Sequence, residues 1–137
     1  MTRKARVLFL CVANSARSQM AEALLRHTAP EDYEAFSAGI RPSELDRRAE
    51  LALEQLGVST AGLRSKSLDE FAGEYFDHVI TLCDKAAFEC STLPGAGEYL
   101  AWDFEDPATS LQAQSYKHCL HEIHERIKLF MLVKSKG

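Results

Sequence analysis

The sequence predicts an α/β fold: an open four-stranded parallel sheet with helices on both faces, formed as a single domain over residues 1–137. Three observations carry this expectation. Strand patterns alternate with helix patterns along the chain. The first strand, Ala5–Cys11, is a nearly continuous β-prone run, as expected of a strand buried on both faces. No internal repeat, linker or low-complexity stretch breaks the alternation, and 137 residues are enough to bury a core without staples.

Taken in order, Ala5–Cys11 is followed by a helix from about Arg17 to His27, with Met20, Ala21, Leu24, Leu25 and Thr28 at helical spacing, and Pro30 ends it. Tyr33–Ala38 reads as the second strand, closed by Gly39. Ser43-x-x-Asp46 resembles a capping box and opens a helix over Arg47–Leu56, which sets Ala49, Ala52, Leu53 and Leu56 on one side before Gly57 stops it. Ser67-x-x-Glu70 is a second capping box, starting a short helix with Leu68, Phe71 and Tyr75. Phe76–Cys83 holds the third strand and Glu98–Trp102 the fourth. The last helix spans about Leu111 to Val133, with Tyr116, Cys119, Leu120, Ile123, Ile127, Phe130 and Met131 in one apolar stripe.

Composition narrows the function classes. The apolar fraction of 46% and charged fraction of 26% are those of an ordinary globular protein. A net charge of −4 argues against a general nucleic-acid binder, and no segment approaches the ~18 apolar residues of a membrane helix. The basic start Thr2–Arg6 and the apolar run Val7–Ala13 mimic a signal peptide, but the run is short, Asn14 and Arg17 interrupt it, and Leu10 is too large for a lipoprotein cleavage site. A cytoplasmic location with reduced thiols follows, so that any disulfide among Cys11, Cys83, Cys90 and Cys119 would be transient and catalytic.

In open parallel sheets, ligands sit beyond the carboxyl ends of the strands. Cys11 and Cys83 both fall there, each closing a strand. Cys11-Val12-Ala13-Asn14-Ser15-Ala16-Arg17-Ser18 joins a buried strand to a helix, a turn that aims backbone N–H groups into a concave nest backed by the helix dipole. Arg17 adds a planar fork for two oxygens of a tetrahedral anion. The same groups favour a Cys11 thiolate, and Ser18 can donate to its sulfur. Asn14 tolerates the left-handed backbone that such a turn needs. Val12, Ala13, Asn14, Ser15, Ala16, Arg17 and Ser18 are thus the candidate oxyanion-binding residues, with Cys11 the candidate nucleophile.

The Cys-x-x-x-x-x-Arg-Ser loop between strand and helix resembles that of the low-molecular-weight protein tyrosine phosphatase fold, specifically its thioredoxin-coupled arsenate reductase branch. Phosphatases of this fold carry a second cysteine before the arginine and Ser-Pro after it; Ala16 and Ser18-Gln19 stand here, and Gln19 suits the reductase branch. The resemblance implies reduction of arsenate to arsenite by a three-thiol relay. Cys11 attacks arsenate, Cys83 then attacks the Cys11 sulfur, and Cys90 attacks Cys83, leaving a Cys83–Cys90 disulfide for thioredoxin, which the pattern favours over a glutathione–glutaredoxin pair. It also gives Asp106, of Asp106-Pro107, the role of general acid, ahead of Asp103 and Glu105. A monomer with no cofactor is expected.

Some relatives hold a potassium ion through an Asn, a Glu, a Ser and an Asp. The first three map onto Asn14, Glu22 and Ser37, but Lys66 occupies the fourth position, so no bound potassium and no other metal is expected. Cys119 reads as a packed core thiol, and His118, His121 and His124 as helix histidines facing solvent. Two rival readings remain: a low-molecular-weight tyrosine phosphatase, which would want aromatic residues and a Tyr pair where Ala108-Thr109 stand, and a sugar-transport phosphocarrier, which needs neither Arg17 nor paired thiols.

Overall fold

The computed structural model describes residues 4–82, 96–110 and 114–135. Its strands β1 (Ala5–Cys11), β2 (Tyr33–Gly39), β3 (Phe76–Thr81) and β4 (Ala96–Ala101) form one sheet in the order β2-β1-β3-β4, with every pair parallel. The chain winds from β1 out to β2 and then crosses back to β3 and β4. This reversal opens a crevice at the carboxyl ends of β1 and β3, and Cys11 is the last residue of β1. Past β3 the ladder gains one more bond, as the Leu82 N–H donates to the Leu10 carbonyl at 2.9 Å.

Alternation along β1 sends Val7 and Phe9 to one face and Leu8 and Leu10 to the other. On the first face the helices α1 (Arg17–Thr28), α2 (Arg47–Leu56) and α3 (Ser115–Ser135) pack over Val7, Phe9, Ile80 and Trp102. The α3 stripe is the expected one: Tyr116, Cys119, Leu120, Ile123, Ile127 and Phe130 are buried. On the second face, Leu8, Leu10, Ala38, Phe76 and Val79 lie under the short 3-10 helix Leu68–Phe71, where the Phe36, Phe71 and Phe76 rings meet edge-on at 5.6–5.8 Å.

Several boundaries differ from the sequence reading, each for a physical reason. Asp46 itself caps α2, accepting from the Arg48 N–H at 2.9 Å, so Ser43 is not the cap. Leu56 is 52% exposed, because the chain turns at Gly57, the Val58 N–H donates back to the Leu53 carbonyl, and Val58 enters the core in its place. Ser67 caps its 3-10 helix as expected, but Glu70 pairs with Arg64, and Tyr75 is half exposed. β4 starts two residues early, at Ala96: a Cβ at Gly97 would stand 2.8 Å from the Asp77 carbonyl, so glycine is what allows pairing there. Cys83, Cys90 and the start of the last helix at Leu111 lie outside the described residues.

Candidate active site

The loop from Cys11 to Ser18 is shaped by where its carbonyls go. Those of Cys11, Val12, Ala13 and Ser15 accept from the N–H groups of Ile40, Arg41, Ser43 and Asp46 at 3.4, 2.9, 3.0 and 2.9 Å. Ser65 Oγ also donates to the Ala13 carbonyl, and Gln19 Nε2 to that of Asn14, at 3.1 and 3.0 Å. In a trans peptide the N–H points opposite to the C=O. Five carbonyls turned onto the segment after β2 and its neighbours therefore turn the N–H groups of residues 12–16 the other way, into a nest. Asn14 has φ of 51°, the left-handed conformation expected of it. Gly39 permits the close approach: a Cβ there would lie 2.7 Å from the Val12 carbonyl oxygen and 2.9 Å from the Asn14 nitrogen.

Helix α1 begins at the end of this nest with Ala16 as N-cap, and no side-chain hydrogen bond among the described residues caps it. Its first turn also carries no acidic residue. A helix start left open in this way offers N–H groups and the positive end of a dipole to an anion.

Cys11 is buried beneath the nest, with Sγ 2.9 Å from Ser18 Oγ. Hydrogen-bond direction here is fixed by the neighbours. Asn14 Oδ1 accepts from the Lys66 N–H at 2.8 Å and from Gln19 Nε2 at 3.1 Å. That leaves Asn14 Nδ2 to donate to Ser18 Oγ at 2.7 Å. Toward a Cys11 thiolate, which only accepts, Ser18 is then the donor. Asn14, Ser18 and Gln19 are all fully buried, so the chain is shielded from water and held rigid. Gln19 gains a third contact, donating to the Arg64 carbonyl at 2.6 Å.

Arg17 lies across the mouth. Nη1 donates to the Phe104 carbonyl at 2.9 Å, and Nη2 stands 3.7 Å from Asp106 Oδ2. Asp106 opens the 3-10 helix Pro107–Thr109, with Oδ1 accepting from the Ala108 N–H at 3.0 Å, while its side chain stays 43% exposed. The structure thus brings Arg17 and Asp106 together, from chain positions 89 residues apart. Asp103 and Glu105 are exposed, and among the described residues it is Phe104 and Asp106 that meet Arg17.

Behind the loop, Glu22 is 2% exposed and receives Ser37 Oγ at 2.6 Å, Arg26 Nη2 at 2.7 Å and the Lys66 ammonium at 3.4 Å. Lys66 Nζ also donates to the Arg64 carbonyl at 2.7 Å. Burial lowers the Lys66 pKa, against the attraction of Glu22. With an ammonium already beside the carboxylate, a potassium ion does not fit these residues. Cys119 lies beside the site on α3, its Sγ 3.9 Å from the Glu105 carbonyl, and burial pushes its thiol up to about 12, as suits an inert core thiol. His118 and His121 are exposed and His124 is half-buried.

Sequence reasoning singled out Cys11, Arg17, Ser18 and Asp106, and the structure places Ser18 beside Cys11 and Asp106 beside Arg17. That reasoning missed the wall that shapes the loop: Gly39, Arg41, Ser43, Asp46 and Ser65 act mainly through backbone or short polar contacts. Gly39 was the one available signal, since a glycine ending a strand beside a tight turn often marks a close backbone approach.

Comparison with known proteins bears on the family and the fold. Residues 6–136 match the family model of the low molecular weight phosphotyrosine protein phosphatase. An arsenate reductase from Halalkalibacterium halodurans is 33% identical over 90% of this chain and 93% of its own. The crystal structure of an arsenate reductase from Archaeoglobus fulgidus matches with a TM-score of 0.77 and 34% identity, over 90% of this chain and 97% of the other. A thioredoxin-dependent arsenate reductase from Corynebacterium glutamicum matches with a TM-score of 0.77 and 31% identity, over 99% of this chain and 65% of the other. A nest of turned-in amides over a buried thiol, closed by Arg17 and Asp106, is accordingly found in a chain that belongs to the low molecular weight phosphotyrosine protein phosphatase family, on its arsenate reductase branch.

Proposed function

We propose that this protein reduces arsenate to arsenite with Cys11, Cys83 and Cys90 as a thiol relay, and that thioredoxin restores it. One observation carries the first half: the Cys11 sulfur lies at the floor of an amide nest, with Ser18 donating to it and Arg17 across the mouth. A tetrahedral oxyanion in that nest presents its central atom to the thiolate. Cys11 attacks arsenic and a Cys11 S–As bond forms as the As–O bond to one hydroxyl breaks; that hydroxyl takes a proton from Asp106 and leaves as water.

Completing the reduction requires two electrons. The Cys83 thiolate attacks the Cys11 sulfur, the S–As bonding pair departs with arsenic, and arsenite is released as a Cys11–Cys83 disulfide forms. Cys90 then attacks Cys83, which frees the Cys11 thiolate and leaves a Cys83–Cys90 disulfide. A thioredoxin dithiol takes over that bond and is itself oxidised. Support for Cys83 comes from the end of β3, since its covalent neighbour Leu82 donates to Leu10, the neighbour of Cys11. Support for thioredoxin comes from the Corynebacterium glutamicum relative, named as thioredoxin-dependent.

A phosphatase would use the same nest and Cys11 but neither of the other thiols, because water hydrolyses its phospho-cysteine. The test is arsenite production with thioredoxin, thioredoxin reductase and NADPH, alongside hydrolysis of p-nitrophenyl phosphate. Cys83→Ser and Cys90→Ser should each abolish arsenite turnover and leave any hydrolysis in place. Undiminished arsenite turnover in either variant would overturn the relay.

A further inference from the structure

Tyr116 lies on α3, outside every segment that forms the loop, yet its hydroxyl donates to Asp46 Oδ2 at 2.6 Å. The Asp46 backbone N–H in turn donates to the Ser15 carbonyl at 2.9 Å. Building on the oxyanion site argued above, we propose that Tyr116 and Asp46 are positioning residues that hold the Ser15–Ala16 peptide with its N–H turned into the nest.

Asp46 is tied from three sides. Arg48 reaches both its carboxylate oxygens at 3.1 Å, the Arg48 N–H reaches Oδ1 at 2.9 Å, and Tyr116 reaches Oδ2. The Arg48 guanidinium also sits 4.7 Å over the Tyr116 ring, which keeps the phenol from swinging away. Tyr116 is buried as a residue, and its hydroxyl takes Asp46 as acceptor in a part-buried bond. Partial burial acts to raise the Asp46 carboxyl, but the bonds from Arg48 and Tyr116 outweigh it and hold the group below the usual carboxylate range. Burial first, then the bond to Asp46, raises the Tyr116 hydroxyl. The pair therefore stays a phenol donating to a carboxylate at any working pH.

Without the tyrosine, Asp46 keeps its cap on α2 but loses its fixed bearing on α3. The Ser15–Ala16 peptide leads into Ala16, the N-cap of α1, where among the described residues no side-chain cap holds the loop otherwise. Loosening it costs oxyanion affinity and leaves the thiol chain Cys11–Ser18–Asn14 intact. The expected signature is a KM effect with kcat preserved.

The probe is inorganic phosphate, which occupies the nest without being reduced. Its dissociation constant is read from protection of Cys11 against iodoacetamide, followed by mass spectrometry, in parent, Tyr116→Phe, Asp46→Ala and the double variant. Tyr116→Phe should weaken phosphate about threefold to tenfold and raise the arsenate KM in parallel, with kcat within about twofold. The double variant should bind no more weakly than Asp46→Ala, since both act along one path. An unchanged phosphate constant in Tyr116→Phe, with only a lower melting temperature, would overturn the proposal; so would effects that multiply in the double variant. If Asp46→Ala fails to fold, Tyr116→Phe alone decides. Failure of phosphate to protect Cys11 in the parent would instead refute the oxyanion site itself, a result separate from these.

Discussion

Replacing Ser18 with alanine removes one oxygen from a fully enclosed chain, and both consequences can be worked from the geometry. Ser18 Oγ stands 2.9 Å from Cys11 Sγ and 2.7 Å from Asn14 Nδ2. Loss of a hydrogen bond to a charged sulfur is worth about 1.5–3 kcal/mol, or roughly a 10- to 150-fold fall in the rate at which Cys11 attacks arsenate. The same change strands Asn14 Nδ2 in a site with no water access, which should cost about 1–3 kcal/mol of stability. For a domain of this size that corresponds to a drop of roughly 3–10 °C in melting temperature. The first effect is read by single-turnover arsenite release in the absence of thioredoxin, the second by thermal and urea unfolding followed through Trp102, whose ring packs on Phe9 and Phe104. A single-turnover rate within twofold of the parent would refute the assignment of Ser18 as donor to the nucleophile, whatever happened to stability.

Other perturbations test other parts of the account. Asp106→Asn should lower arsenite turnover about 10²- to 10⁴-fold, the range for a lost general acid, while phosphate still protects Cys11 from alkylation; weakened protection would point to a binding role instead. Lys66→Asp removes the ammonium beside Glu22 and adds a carboxylate, so its urea midpoint should rise more in potassium chloride than in equal sodium chloride, a difference the parent should not show. The Glu98 carboxyl is held below its ordinary value of 4.5 chiefly by the Lys134 hydrogen bond, against some desolvation and with help from His78. A depressed carboxylate stabilises above its unfolded pKa and loses that contribution as pH falls through the folded one. The stability lead of parent over Glu98→Gln should therefore be full above the ordinary carboxylate range and shrink as the pH falls through the depressed folded value, and a lead that grew on acidification would contradict the assignment.

How much of this was legible in the sequence depends on whether the signal was local. The run Ala5–Cys11 and the helix Arg47–Leu56 announce themselves through patterns that any short window contains. The Cys11–Ser18 loop was readable because one segment carries the thiol, the turn residue Asn14, the arginine and the serine. Arg17 and Asp106 meet across 89 positions, and only resemblance to a known family joined them. Apart from Gly39, the wall behind the loop had no local signature: the Ser43 and Asp46 contributions run through backbone N–H groups, which every residue but proline possesses. Ser43-x-x-Asp46 was misread for a related reason, since both residues are common caps and only the fold shows that Asp46 caps α2 while Ser43 holds Ala13. The bond from Tyr116 to Asp46 is equally hidden, because an aromatic residue in an apolar stripe looks like core from any single helix.

The central claim is that arsenate draws its two electrons from thiols of this one chain. The most direct measurement is peptide mass mapping after the fully reduced protein meets one equivalent of arsenate without thioredoxin. The account predicts one arsenite per chain and an intramolecular Cys83–Cys90 disulfide, with Cys11 again free to alkylate. Arsenate left unreduced with all four thiols still titratable would contradict it.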